Sequence, residues 1–332
     1  MSDTKYMAEF RKDPVSGDWI VVAPERAGRP HGFSDGKSRR RPTPKKTCPF
    51  EDLEKTGNWP PIIAYPNRES WRVVLIPNKY PALRHSNVCV KSINLGPYET
   101  MPGIGYHDLV VTRDHENNFS RLSLSEALRI FLIFQERYRG IKKDKCLTYV
   151  SAFSNWGASA GASLYHPHYQ LLALPIVPPE VSHSLRGSHE YFTKKRRCAH
   201  CDIIKHERKG GKSIIAENKD AIAFAPFASR HPYKIRIFPK KHYAFFEETD
   251  EKPLRAVAEL LQRVLKKIEK NLNDPDYNFF IHTAPLKNQK SHSHYHWHVE
   301  VIPKMAQEGG FELGTGVDIN VVPPEELARI LK

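Results

Sequence analysis

Three absences narrow the reading of this chain. No apolar run reaches the roughly eighteen residues that a membrane helix needs, and the opening stretch, MSDTKYMAEFRKDP, is charged where a secretory leader would be apolar. A cytoplasmic protein is expected. Cysteine is scarce and odd in number, five in 332 residues, which argues against a framework of paired disulfides. Three of the five, Cys48, Cys198 and Cys201, stand at Cys-x-x positions and read as metal ligands in a reducing compartment. The third absence concerns the basic runs that accompany a formal net charge of +14: Lys37 to Arg41 and Lys194 to Arg197 lie near Pro42, Pro44 and Gly187, without interleaved aromatics or a recognition helix. That argues against nucleic acid as the main partner. A small polyanion, such as a nucleotide sugar, drawn to a positive cleft is the better match for the charge.

What is present centres on His166-Pro167-His168-Tyr169-Gln170. On an extended strand alternate residues share a face, so a ligand or orienting imidazole, a nucleophilic imidazole and a neutral amide donor are expected along one edge. Such a set suits chemistry at phosphorus. The period recurs in His294-Tyr295-His296-Trp297-His298, and the spacing recurs with it: His115 precedes His166 by 51 residues and His242 precedes His294 by 52. Upstream lie Cys48-Pro-Phe-Glu51 and Cys198-Ala-His-Cys201. Ser123 with Glu126 forms a capping box before Leu124, Leu128, Phe131 and Leu132. Asp250, an N-cap type, precedes Leu254, Val257, Leu261, Val264, Leu265 and Ile268 at helical spacing. Two copies of one α+β unit, over residues 1–178 and 179–332 and each with its own core, are the economical explanation.

Strands are expected at Trp19–Val22, Trp71–Ile76, Asp108–Thr112, Cys146–Phe153, Ala221–Pro226, Tyr233–Pro239, Tyr277–His282 and His294–Pro303. Residues 31–46 read as a flexible loop, Pro175, Pro178 and Pro179 as the passage between halves, and Gly309–Gly316 as a compact tail before a short helix from Pro324.

Three separated segments, RKDPVSGDWIVVAPERAGRP, FSNWGASAGASLYHPHYQ and GGFELGTG, together resemble the galactose-1-phosphate uridylyltransferase family of the histidine-triad superfamily over nearly the whole chain. The resemblance implies tandem histidine-triad-like units, antiparallel sheets forming half-barrels with packed helices, in a homodimer. It implies transfer of UMP from UDP-glucose to galactose 1-phosphate through a nucleotidyl-histidine. The nucleophile falls on His168, and Gln170 on the amide that donates to a nonbridging phosphoryl oxygen. Arg26, Arg29, Asn78, Asn155 and Ser163 fall on nucleotide- and phosphate-binding positions, and Phe311 and Glu312 on the tail that contacts the hexose phosphate. His166 becomes a zinc ligand with Cys48, His115 and Glu51, the last standing where the family often has cysteine. Cys198, Cys201, His242 and His294 form a second zinc set, giving one or two zinc ions per subunit. A zinc knuckle starting at Cys198, Cys201 and His206 fails because no cysteine follows Cys201. Ser184 stands where some relatives carry an iron-binding glutamate, so no iron site is expected.

His282, His296 and His298 read as a polar cluster of the second half. The lead KNQKSHS lacks the glycine-rich approach of the first half, so one active site per subunit is expected. Lys79 replaces an acidic residue common beside the ribose-binding asparagine, and the family's hexose-phosphate lysine and glutamine have no clear counterpart in the tail. Relatives with the same FE-x-GTG tail include ADP-glucose phosphorylases, which pass AMP to phosphate, and this is the alternative reading. A zinc-stabilised nucleotide or nucleic-acid module is the alternative of a different class.

Overall fold

The computed structural model describes residues 7–28 and 40–332. Arg29 and most of the loop expected over 31–46 lie outside the described residues. In chain order, β1 (Glu9–Lys12) and β2 (Trp19–Val22) are followed by β3 (Ile63–Tyr65), β4 (Val73–Pro77), β5 (Ile93–Leu95), β6 (Tyr98–Thr100) and β7 (Tyr106–Thr112). Helix α1 (Leu124–Ile141) leads to β8 (Tyr149–Trp156) and β9 (His168–Leu174), then come α2 (Pro179–Lys195) and α3 (Ala199–Gly210). After these come β10 (Ile214–Glu217), β11 (Ala221–Phe224), β12 (Ile235–Pro239), α4 (Glu251–Asn271), β13 (Tyr277–His282) and β14 (His298–Pro303). The chain closes with α5 (Gly310–Thr315), β15 (Ile319–Asn320) and α6 (Pro324–Ile330).

Ten strands make one sheet in the order β10-β11-β12-β14-β13-β8-β9-β7-β4-β3. Neighbours in it pair antiparallel throughout. Read inward from its two edges the order is the same, β3-β4-β7-β9-β8 and β10-β11-β12-β14-β13, with a long helix between the third and fourth strands of each set. The sets meet where β8 pairs with β13, setting Asn155 opposite Asn278 and Trp156 opposite Tyr277.

The expectation of a separate core for each half gives way to one continuous core. It holds Phe131, Phe134 and Tyr138 of α1 together with Val257, Leu261 and Leu265 of α4. The physical reason is a pair of reciprocal contacts. Gln135 of α1 donates to the carbonyls of Phe246 and Thr249 ahead of α4, and Gln262 of α4 donates to those of Phe119 and Leu122 ahead of α1. Each buried amide thus bonds carbonyls of the segment that leads into the other helix, which satisfies the amide and ties the two helix entries together.

Ser123 caps α1, accepting from the Glu126 N–H and donating to its carboxylate at 2.8 Å. Asp250 occupies the N-cap position of α4, but its carboxylate accepts from the Tyr243 hydroxyl at 2.6 Å instead. Helices α2 and α3 were not expected. Proline at a first helical position is compatible with a helix, and Val181, Leu185 and Ser188 give α2 a buried face at helical spacing. The two cysteines outside the Cys-x-x positions, Cys89 and Cys146, form a disulfide. This corrects the reading against paired disulfides: the partners are 57 residues apart, and only the fold brings their loops together. Among the described residues no helix is long and apolar enough to cross a membrane.

Candidate active site and its metal-type clusters

His168 opens β9, opposite Val111 of β7, and packs against the Phe50 ring at 5.4 Å between centroids. Its Nδ1 lies 2.9 Å from the His166 carbonyl oxygen. A carbonyl can only accept, so Nδ1 carries the proton and Nε2 keeps its lone pair. Burial lowers the pKa of this imidazole, against the carbonyl bond that raises it. A buried, neutral imidazole with one nitrogen fixed and the other without a hydrogen-bond partner among the described residues is a nucleophile ready for use near pH 7.

Two residues on, Gln170 sits between Leu109 of β7 and Phe153 of β8. Its Oε1 is 3.1 Å from Nε2 of His107, whose Nδ1 accepts the Ala82 backbone N–H at 3.1 Å. Asn78 faces the same nitrogen, its Nδ2 3.0 Å from Nε2. His107 was missed in the sequence. Its signal was a polar residue at alternate spacing with Leu109 and Val111, one residue ahead of the strand expected from Asp108, whereas β7 begins at Tyr106.

Cys48, Glu51, His115 and His166 come together, with ligand atoms all within 4.8 Å of one another. His166 donates from Nε2 to the Thr112 carbonyl at 2.7 Å, and His115 from Nε2 to that of Thr43 at 2.7 Å. Both Nδ1 atoms therefore turn inward, 3.2 Å apart. Burial pushes the His166 imidazole down to about 4, so at pH 7 its Nδ1 presents a lone pair. The Cys48 sulfur at 3.4 Å and the Glu51 carboxylate at 3.6 Å face the same nitrogen. Converging lone pairs repel unless a cation lies among them, and sulfur, two imidazoles and a carboxylate fit a tetrahedral zinc-type ion.

The second cluster needs a correction. The structure brings Cys198, Cys201 and His242 together with His296, not His294. The Cys201 sulfur is 3.3 Å from His242 Nδ1 and 3.5 Å from His296 Nδ1, and His242 Nε2 donates to the Ser293 carbonyl at 2.9 Å. A hydrogen bond between the two sulfurs holds Cys198 far below the usual thiol range and Cys201 above it. His294 instead stacks on Phe192 and bonds the Leu185 backbone. The near-equal spacings misled because β14 begins only at His298. His296 precedes it by two, as His166 precedes β9, and His294 lies in a turn where strand alternation does not apply.

The other expected residues are dispersed. Asn155 accepts from Asn278 at 2.8 Å across the central seam. Ser163 lines a cavity of about 350 Å³ with Arg40, Arg41, Trp156 and Tyr165. Arg26 is half-buried in a short 3-10 turn after β2. Phe311 is exposed, and Glu312 turns back to accept the Gly309 N–H at 3.0 Å, capping its own short helix. In the second half His298 is buried with Glu300, whose carboxylate is tied to Lys234 at 2.8 Å and Arg236 at 2.6 Å.

A family model described as galactose-1-phosphate uridyl transferase, N-terminal domain, matches residues 1–178, and one described as a domain of unknown function (DUF4921) matches residues 104–332. An ADP-glucose phosphorylase of Arabidopsis thaliana is 37% identical, over 98% of this chain and 92% of that one. A galactose-1-phosphate uridylyltransferase of Thermotoga maritima is 27% identical over 98% of both. Among solved structures, an Arabidopsis thaliana ADP-glucose phosphorylase with bound ADP-glucose superposes with a TM-score of 0.83 at 34% identity, covering 98% of each chain. The chain is thus a nucleotidyltransferase and belongs to the galactose-1-phosphate uridylyltransferase family.

Proposed function

We propose that the protein moves AMP from ADP-glucose to inorganic phosphate through an adenylyl-His168 intermediate. The observation that carries the mechanism is the His168 ring, with Nδ1–H held by the His166 carbonyl and Nε2 free. Nε2 attacks the α-phosphorus, its bond to the bridging oxygen breaks, and glucose 1-phosphate leaves. Positive charge then spreads over the ring, and the Nδ1–H bond to the carbonyl becomes charge-assisted. An oxygen of phosphate next attacks the same phosphorus, the phosphorus–nitrogen bond breaks, and ADP departs with His168 restored. The Gln170 amide donates to a nonbridging oxygen in both steps. Asn78, Asn155, Ser163, Arg26 and Arg29 serve the nucleotide and its phosphates.

The choice of donor and acceptor is supported by the 37% relative, named for phosphorolysis of ADP-glucose and matched end to end. The self-capping of Glu312 fits the same choice, since one oxygen of that carboxylate is engaged with its own backbone. Uridylyl transfer from UDP-glucose to galactose 1-phosphate, which the sequence put first, is the second reading, supported by the 27% relative. Cys48, Glu51, His115 and His166 would hold one zinc ion and Cys198, Cys201, His242 and His296 another. Each ion would tie loop to sheet, the first beside the carbonyl that orients His168. The halves, 1–178 and 179–332, are read as tandem histidine-triad-like units of a homodimeric cytoplasmic enzyme, a reading that their common strand order supports.

Discharge of a preformed adenylyl-enzyme tests the acceptor. Release of ADP by phosphate should outpace any discharge by galactose 1-phosphate. The opposite order, with UDP-glucose the better donor, returns the second reading to first place.

A further inference from the structure

We infer that His107 is a positioning residue for Gln170: its Nε2–H holds the Gln170 carbonyl oxygen and thereby turns the amide NH2 toward the phosphoryl group. The inference rests on the proposed nucleotidyl transfer and names a residue outside the expected site. Three groups face the two ring nitrogens. The Ala82 N–H points at Nδ1 from 3.1 Å, and Asn78 Nδ2 and Gln170 Oε1 lie 3.0 and 3.1 Å from Nε2. Side-chain amides can be turned to exchange donor for acceptor, but a backbone N–H cannot. Ala82 therefore decides the tautomer: Nδ1 accepts, and the proton of the neutral ring sits on Nε2. From there it serves Gln170 Oε1. The Tyr80 N–H holds the Asn78 Oδ1 at 2.9 Å, so by the same rule the Asn78 NH2 faces Nε2 as a donor and competes with Gln170 Oε1 for that one nitrogen.

An amide used as an oxyanion donor has to be held by its oxygen, because a free glutamine presents either end to the phosphate. Each wrong orientation sets oxygen against oxygen. The second half of the sheet shows the same position used differently. Gln170 pairs across the ladder with Leu109, and His107 stands two residues before Leu109. Glu300 pairs with Arg236, and Lys234 stands two residues before Arg236. In both, a side chain on or just ahead of the earlier strand bonds its diagonal neighbour, at 3.1 Å for His107 and 2.8 Å for Lys234. The neutral pair leaves an NH2 group to donate. The charged pair leaves a carboxylate, which has nothing to donate to a phosphoryl oxygen.

The test is a double-mutant cycle on single-turnover formation of the nucleotidyl-enzyme from ADP-glucose, using His107→Phe and Gln170→Ala. Removing one orienting hydrogen bond should slow the wild-type background about tenfold, while His107→Phe in the Gln170→Ala background changes the rate less than about twofold. An equal slowing in both backgrounds, or none in the first, overturns the inference. Nitrogen NMR of the wild-type imidazoles decides independently, even should His107→Phe fail to fold: the Nε2–H tautomer of His107 is required, and Nδ1–H refutes it. Absence of any adduct on the wild type would instead count against the proposed transfer, leaving the tautomer result to stand by itself.

Discussion

Replacing Glu300 by glutamine keeps the shape of the side chain and removes one charge from a sealed cluster. Glu300 is 3% exposed and Lys234 6%. Burial alone would raise the Glu300 pKa, but Lys234 and Arg236 outweigh it and hold the carboxyl well below its usual range. Arg236 keeps a second carboxylate, Asp13 at 3.4 Å, whereas the ammonium of Lys234 pairs in the structure with Glu300. In Glu300→Gln that ammonium must stay charged in a dry site or give up its proton. The second route sets a ceiling: deprotonating a lysine of reference pKa about 10.4 costs about 1.4 kcal/mol per pH unit, hence about 4.6 kcal/mol at pH 7. A loss of about 3–4.5 kcal/mol follows, in line with breaking other buried pairs from one side. Its pH dependence has a definite sign. Lys234 in the variant has a depressed folded pKa, the unfolded chain binds more protons, and stability rises with pH up to about 10. Urea unfolding of both proteins at pH 7 and pH 9 measures this. A deficit under about 1 kcal/mol at pH 7, or one that does not shrink at pH 9, refutes the reasoning. Adding Lys234→Met should return more than half of the loss.

Gln170→Ala should slow adduct formation about 10²-fold, the usual effect of losing one oxyanion donor, and His168→Ala should abolish it with the melting temperature preserved. Single-turnover mass spectrometry reads both. Purified protein should hold one to two zinc ions per subunit by elemental analysis. His296→Ala should lower that content and the melting temperature, because a structural metal contributes folding energy directly, while His294→Ala should leave the content unchanged. Equal loss in both variants would contradict the cluster assigned here.

The long helices were legible because their apolar spacing is unambiguous. Leu254, Val257, Leu261, Val264, Leu265 and Ile268 are all fully buried. The strand after the H-P-H run was legible in part: His168 and Gln170 lie on β9 at alternate positions, whereas His166 precedes the strand. What escaped depended on distance through space. The Cys89–Cys146 bond joins residues 57 apart, and counting residues could not tell His294 from His296 across an irregular lead into β14. Helix α2 was hidden because Pro178 and Pro179 signal a break as readily as a start. His107 escaped because its partners, Ala82 and Gln170, come from different segments, and no local pattern announces a tautomer. The tail showed a contact that its motif did not announce: one Glu312 oxygen reaches back to the Gly309 N–H and caps its own short helix.

The central claim is that His168 carries an adenylyl group during turnover. Intact-protein mass spectrometry of the wild type after incubation with ADP-glucose, with UDP-glucose in parallel, tests it most directly, followed by peptide mapping under conditions that preserve the phosphorus–nitrogen bond. The account requires a gain of one AMP per chain from ADP-glucose, located on His168 and discharged as ADP when phosphate is added. No adduct with either donor, or an adduct on His166, His296 or His298, would contradict it.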